Sequence, residues 1–195
     1  MSTFDPAQAL RIDLARGQLS LTGSGGGSGN RLLVPLDSMI DLLSSADNDA
    51  ITAFGAGIGT DMGRRVRDRL GSAIDQASVE LFLEHLGGEI ALAGLGSLSL
   101  ERWGYALVLV LEGLKDAASL EILVAALLEA VVQRALSRDV TVVSLGRQAD
   151  ALKFAMLGRH AKDQVEQAMA AGKSLGDVLT QLHQSTQATA TRGES

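Results

Sequence analysis

The longest run of apolar positions spans Ser119 to Leu136 and reads SLEILVAALLEAVVQRAL. An amphipathic surface helix shows a wide polar stripe, whereas the polar residues here leave only a narrow one. Asp116 or Ser119 is a candidate N-cap for this helix. We therefore predict a helix covered on two sides, by a sheet on one side and by another helix, a second subunit or an apolar ligand on the other.

The N-terminal part alternates apolar and polar residues, as half-buried strands do. Leucine and isoleucine alternate with other residues over positions 10–14 and 19–21, which predicts a strand pair or one bent strand. A glycine–serine connector follows at positions 23–29, so residues 1–30 are predicted to hold the strand pair and the connector. Arg31 to Leu36 is predicted to be a further strand, closed by Pro35.

Three helices are predicted between this strand and position 93. Asp37 is predicted to cap the first, which ends near Ser45, and Asp47 or Asp49 the second, which ends near Leu70. The third covers about residues 78–93. The second helix carries three glycines on one face, because they are spaced by four: Gly55, Gly59 and Gly63. We expect a neighbouring helix or a subunit to approach this face closely, and predict an interface formed by these glycines with Arg64 and Arg65.

From position 94 the apolar period changes from that of a helix to two. Residues 96–101 and 105–111 form one predicted hairpin, and residues 139–145 and 151–157 form a second. The fold class is therefore α+β, with a four-stranded antiparallel sheet of two hairpins joined by a buried helix and packed on helices. Residues 31–158 are predicted to be one domain, followed by a helical extension over 159–183 and a disordered tail over 184–195.

Composition excludes several classes of function. The 195 residues carry a net charge of −6 and no cysteine, which argues against a general nucleic-acid surface and excludes thiolate metal sites. The N-terminus does not resemble a signal peptide, and no apolar stretch is long enough and uncharged enough to span a membrane. We expect a cytoplasmic protein without a metal or another cofactor.

No catalytic set of residues is visible. The stretch FGAGIG at positions 54–59 lies within a helical pattern and lacks the third glycine of a dinucleotide-binding loop. His85, His160 and His183 lie on separate predicted helices. A basic run at positions 64–69 is explained either by the helix dipole or by a partner-binding patch. We therefore predict a protein that is not an enzyme.

The order of the motifs resembles the 4-vinyl-reductase-type small-molecule-binding domain. The helix FGAGIGTDMGRRV, the hairpin LAGLGSLSLERWGYALVLVLEG and the closing segment VAALLEAVVQRALSRDVTVVSLGRQADALKFAMLG carry this resemblance over about residues 31–158. The family shares its fold with core subunits of the TRAPP tethering complex. The resemblance implies a non-enzymatic dimer with an apolar cavity beneath the helices, acting as a sensor or adaptor. Metal binding does not carry over, because the cysteines that many members have in the closing hairpin are missing here.

A weaker resemblance, over about residues 50–158, is to the D-type accessory protein of bacterial cellulose synthase, which is oligomeric. Two functions therefore stay open: a dimeric module that binds an apolar small molecule or a protein partner, and a structural component of a larger assembly. If a cavity exists, we predict that five residues line it: Phe82, Trp103, Leu127, Val131 and Phe154. The alternative is that these side chains pack into a filled core.

Overall fold

The computed structural model describes residues 6–21, 31–71, 74, 78–103, 106–158, 167, 171 and 172. They form the helices α1 (Pro6–Ala9), α2 (Leu36–Ser44), α3 (Asn48–Leu70), α4 (Val79–Leu92) and α5 (Ala118–Leu136). The strands are β1 (Leu10–Asp13), β2 (Gln18–Leu21), β3 (Ser97–Trp103), β4 (Ala106–Glu112), β5 (Val140–Gln148) and β6 (Ala151–Gly158). The predicted connector at 23–29, and nearly all of the predicted C-terminal helices and tail, lie outside the described residues.

The main sheet is antiparallel and has the strand order β3-β4-β6-β5. It consists of two hairpins, β3–β4 and β5–β6, which lie side by side so that Leu109 of β4 pairs with Phe154 of β6. Helix α5 connects the hairpins. The predicted α+β class, with a four-stranded antiparallel sheet and an N-terminal strand pair, is confirmed.

Both faces of the central strands are buried, as their continuous apolar sequence predicts. Because side chains alternate along a strand, Leu109 and Leu111 of β4 face the helices with Phe154 of β6. The residues between them, Val108 and Val110, belong to a second apolar cluster on the opposite face. The helices therefore pack on one defined side of the sheet.

Helix α5 packs against the glycine face of α3. A Cβ atom built on Gly59 would lie only 2.2 Å from the carbonyl oxygen of Leu127 and 3.0 Å from the Cβ atom of Ala130. A Cβ atom built on either of the other two glycines would also meet the α5 backbone, at 2.4 Å from the Leu123 oxygen for Gly55 and at 2.8 Å from the Val131 oxygen for Gly63. The predicted close approach is thus present, but it joins two helices of one chain. A helix was one of the two neighbours predicted for this face, and an interface with a second subunit at these glycines stays a prediction.

The predicted strand from Arg31 to Leu36 is wrong. Arg31 forms an isolated bridge to β2, in which its N–H donates to the carbonyl oxygen of Leu19 at 2.7 Å. Positions 32–35 are not in a strand, and Pro35 lies at the N-cap of α2. Leu32 and Leu33 are 84% and 77% exposed, so no apolar face forms that would hold a strand here.

The helix caps decide between the predicted alternatives. Asp47 caps α3 by accepting a hydrogen bond from the N–H of Ala50 at 2.7 Å, and Asp49 lies in the first turn. Asp37 is not a cap, because it lies inside the first turn of α2. Helix α5 has Ala117 at its N-cap and no side-chain cap bond, which corrects the prediction of a polar cap there.

We predict that Gly59→Ala destabilises the protein, whereas Gly57→Ala stabilises it. The methyl group at Gly59 would overlap the α5 backbone, and overpacking costs about 1–3 kcal/mol. A Cβ atom on Gly57 meets nothing within 4 Å, so alanine there should add about 0.4–1 kcal/mol through the unfolded state. Urea denaturation measures both, with Gly59→Leu expected to lose more than Gly59→Ala. Stabilisation by Gly59→Ala would show that the two helices are not in close contact.

Candidate functional site

Helix α3 has a second, apolar face beside its glycine face. Phe54, Ile58 and Met62 each precede one of the three glycines and are spaced by four residues. They therefore form a stripe that is rotated by about 100° from the glycine face around the helix axis. The glycine face is turned to α5. The apolar stripe is therefore turned towards α2, α4 and the segment at positions 31–34.

This stripe forms one wall of a groove. Two adjoining cavities of about 390 and 300 Å³ make up the groove, and both are lined by Val34, Met39, Phe54, Ile58 and Ala93. The larger cavity extends along β1, β2 and α4, and the smaller one extends towards α5. We call these two cavities together the apolar groove. Most of its lining is aliphatic or aromatic, so it suits a ligand with an apolar body.

One end of the larger cavity is charged, because Arg31, Arg65 and Glu89 line it. Glu89 of α4 is only 1% exposed. It accepts hydrogen bonds from Arg65 of α3, at 2.9 Å from Nε and 2.5 Å from Nη2, and it also pairs with Arg69. Two guanidinium groups therefore hold a buried carboxylate and tie α3 to α4.

Asp61 extends this set of charges towards the surface. It pairs with Arg31, Arg64 and Arg65. Its partial burial alone would raise the pKa of the carboxyl, but the hydrogen bond from Arg31 and the charge of Arg65 outweigh this and lower the pKa below its usual value. We call the whole set the arginine–carboxylate cluster: Arg31, Asp61, Arg64, Arg65, Arg69 and Glu89.

The cluster accounts for much of the basic run on α3. Burial alone would lower the pKa of Arg65, but its hydrogen bonds and charge interactions with Glu89 and Asp61 raise it instead. Arg65 is 8% exposed and joins two helices of one chain, and its predicted place in an interface stays a prediction. Arg64 is exposed and pairs with Asp61. Arg67, also exposed, donates to the hydroxyl of Ser137 after α5.

A further cavity of about 370 Å³ lies between α3, α5 and the edge strand β5. Its polar groups already have partners within the chain. Glu129 accepts a hydrogen bond from the N–H of Val142 at 2.9 Å, and Gln133 donates to the carbonyl oxygen of Val140 at 2.8 Å. Side chains of α5 thus cover backbone groups of an edge strand, which limits pairing with another sheet. A structural role explains this cavity better than ligand binding.

The five predicted cavity residues do not lie together. Phe82, Leu127, Val131 and Phe154 are buried in the core between the helices and the sheet. Trp103 packs with the cluster on the opposite sheet face, where its Nε1 donates to Glu101 at 2.6 Å. The three cavities described above are lined by other residues. A ligand site at these five residues stays a prediction.

Sequence reasoning did not identify the apolar groove, although one signal was present. The stripe of Phe54, Ile58 and Met62 continues along the same side of α3 into Arg65 and Arg69. Such a change from apolar to charged residues along one helix face is typical of a cleft wall that ends at a polar network.

Among the described residues, no group of three or more acidic or histidine side chains is placed to hold a metal ion. None of the helices in this part of the chain is long and apolar enough to cross a membrane.

Comparisons with known proteins bear on the fold. Neither the protein-family models nor the curated proteins give a match to the sequence. Among solved structures, the chain is similar to the phenol-responsive sensory domain of the transcription activator PoxR, determined with phenol. The TM-score is 0.57 at 11% identity, and the similarity covers 77% of this chain and 86% of that one. At this identity the likeness concerns the fold alone.

We predict that Asp61→Asn lowers stability at neutral pH and that this loss shrinks in acid. A carboxyl whose folded pKa is depressed stabilises the fold above its unfolded pKa of about 3.9, and the contribution is lost as the pH falls through the folded pKa. At pH 7 we expect a loss of about 1–2 kcal/mol, between the values for exposed and buried pairs. Urea denaturation between pH 7 and pH 3 measures it.

The matched control for this prediction is Asp68→Asn, an exposed position on the same helix. Its stability should stay within about 0.5 kcal/mol of the wild type at every pH. A deficit of Asp61→Asn that is the same at pH 7 and pH 3 would show that the charge of Asp61 does not contribute.

Proposed function

We propose that this chain is a non-enzymatic small-molecule-binding module, which holds a ligand with an apolar, ring-sized body in the apolar groove. The observation that carries the proposal is a groove with apolar walls that ends at a buried set of charges. An apolar cleft with a few convergent polar groups is the usual form of a ligand site. No step of a reaction is assigned to any residue.

The size of the groove supports a small-molecule ligand. Protein interiors are close-packed and contain few voids larger than a water molecule. The larger cavity, at about 390 Å³, falls in the range of about 300–1,000 Å³ that small-molecule sites occupy. An aromatic ring with one or two substituents is small enough for such a volume.

The exposure of large apolar side chains around the groove supports the same proposal. Val34 and Phe54 line both cavities, yet they are 42% and 44% exposed. Contiguous exposed apolar surface on a folded domain is typical of a binding site. A bound ligand would remove part of this surface from water, which supplies about 25 cal/mol for each Å² buried.

The likeness to the PoxR domain adds to this argument only at the level of the fold. Unrelated functions share folds, so the phenol in that structure does not identify a ligand here. What the likeness contributes is an example of such a fold with a small aromatic molecule bound. Because the fold is shared at low identity, the proposal has to stand on the groove itself.

We predict that 2-naphthol binds the wild type and that Phe54→Ala weakens its affinity about two- to tenfold. Phe54 lines both cavities, and the loss of one aromatic contact corresponds to about 0.5–1.5 kcal/mol. Isothermal titration calorimetry at pH 7 measures the affinity. The rise in melting temperature caused by 2-naphthol should be smaller for the variant as well.

Leu42→Ala is the matched control for this experiment. Leu42 is a large apolar residue that is 64% exposed, and it is not part of the apolar groove. Its affinity for 2-naphthol should equal that of the wild type. Binding that weakens equally in both variants would indicate nonspecific adsorption to exposed apolar surface. Absence of binding to the wild type at millimolar 2-naphthol would contradict the proposal.

We propose in addition that the chain forms a homodimer. The support is its exposed apolar surface, and not the two helix faces from which the sequence analysis predicted a dimer. The faces of α3 and α5 that prompted this expectation fill each other within one chain. Instead, exposed apolar residues are concentrated near the N-terminus, where Ile12, Leu14, Leu32 and Leu33 are 63–90% exposed. Such a surface is suited to contact with another protein chain.

Light scattering should give a dimer at micromolar concentration, and the double variant Leu32→Ser/Leu33→Ser should shift it towards the monomer. Leu42→Ser, at an exposed leucine of α2, is the control and should leave the dimer intact. A wild-type monomer across this range would contradict the dimer. A larger assembly together with no binding of 2-naphthol would favour the structural component of a larger assembly instead.

A further inference from the structure

The charged end of the apolar groove differs from the rest of its lining in the type of residue. Every residue that lines the larger cavity is apolar except Arg31, Arg65 and Glu89. The two oxygens of Glu89 are engaged by Arg65 and Arg69, so its charge is compensated within the chain. The groove therefore offers a ligand an apolar wall and, at one end, two guanidinium groups.

The arginine–carboxylate cluster carries more positive than negative charge. Four guanidinium groups share two carboxylates, since Asp61 pairs with three of them and Glu89 with two. Asp61 stays ionised at neutral pH because its pKa is lowered, and Arg65 stays charged because its pKa is raised. An anion that entered this end of the groove would thus be attracted by the excess of positive charge.

Arg31 lines this end of the groove, and its side chain is 32% exposed. Its Nη2 atom is held by Asp61, and its backbone is held by the bridge to Leu19. The buried Nε atom of Arg31 has no hydrogen-bond partner among the described residues. Asp61 therefore does not use the whole hydrogen-bonding capacity of this guanidinium, and an anionic ligand oxygen that reached it would gain affinity.

We propose that the apolar groove recognises organic anions, with an aromatic or short aliphatic body along α3 and a carboxylate or phenolate oxygen at the Arg31 guanidinium, near the charge of Arg65. This inference rests on the proposed function of the groove and adds the chemical class of its ligand. Guanidinium groups suit planar carboxylates because of their fixed fork of donors. Because the side chain of Arg31 is already held in place, it loses little conformational entropy when a ligand binds.

The test compares 2-naphthoate with 2-naphthamide, which has nearly the same shape and no charge. We expect the wild type to bind the anion at least about tenfold more tightly at pH 7, which corresponds to about 1.4 kcal/mol. This preference should fall as salt is raised, because a charge interaction that solvent reaches in part is screened. Isothermal titration calorimetry measures both affinities, and circular dichroism checks that each variant is folded.

Arg31→Gln should remove most of the preference while leaving the affinity for 2-naphthamide within about twofold of the wild type. The matched control is Arg64→Gln: Arg64 pairs with the same carboxylate of Asp61, but it is exposed and does not line the groove. It should keep the full preference. Loss of the preference in Arg64→Gln alone would assign anion recognition to the surface and overturn the proposal.

The outcomes separate this inference from the proposed function. Equal wild-type affinity for the anion and the amide overturns anion recognition but leaves the groove as a small-molecule site. Absence of binding to both probes overturns the groove itself. The wild-type comparison needs no variant, so a folding defect in Arg31→Gln cannot leave the inference undecided.

Discussion

The close contact between α3 and α5 is the constraint on which the rest of the structure depends. Helices usually pack at about 8–10 Å between their axes, and small side chains allow the lower end of that range. On α3 the three glycines let the α5 backbone approach until a methyl group at Gly59 would overlap the Leu127 carbonyl oxygen. Each glycine in a helix costs about 0.5–1 kcal/mol relative to alanine, so close packing must return more than that.

The same contact sets the orientation of every other side chain on α3. With the glycine face turned to α5, the stripe that begins at Phe54 has to face α2 and α4, and Arg65 has to face Glu89. The apolar groove and its charged end therefore both follow from the way α3 is oriented about its own axis against α5. A buried ion pair is weak evidence for stability, because desolvation offsets much of the attraction. Here the pairing of Glu89 with two arginines is better understood as fixing how α4 lies against α3.

The sequence predicted the fold well because the fold depends on periodicity. The change from helical to alternating apolar positions near residue 94 gave the two hairpins, and the nearly all-apolar α5 gave the buried helix between them. The errors lie where single tertiary contacts decide. One bridge from Arg31 to Leu19 does not make a strand, and a short apolar run cannot reveal that positions 32–35 pair with no strand among the described residues.

The candidate site was harder to predict because a cavity is the space that packing leaves unfilled. Phe82 and Phe154 have the pattern of core residues, and that pattern is the same whether they fill a core or line a cavity. The pattern of Ile58 and Met62 does not show that ion pairs join α4 to α3 at the charged end. Glu89 ties the two helices there, and towards Phe54 the walls are instead Met39, Val34 and Ala93. The groove therefore opens beside the cluster, where α2 and the segment at positions 32–34 form the walls opposite the apolar stripe of α3.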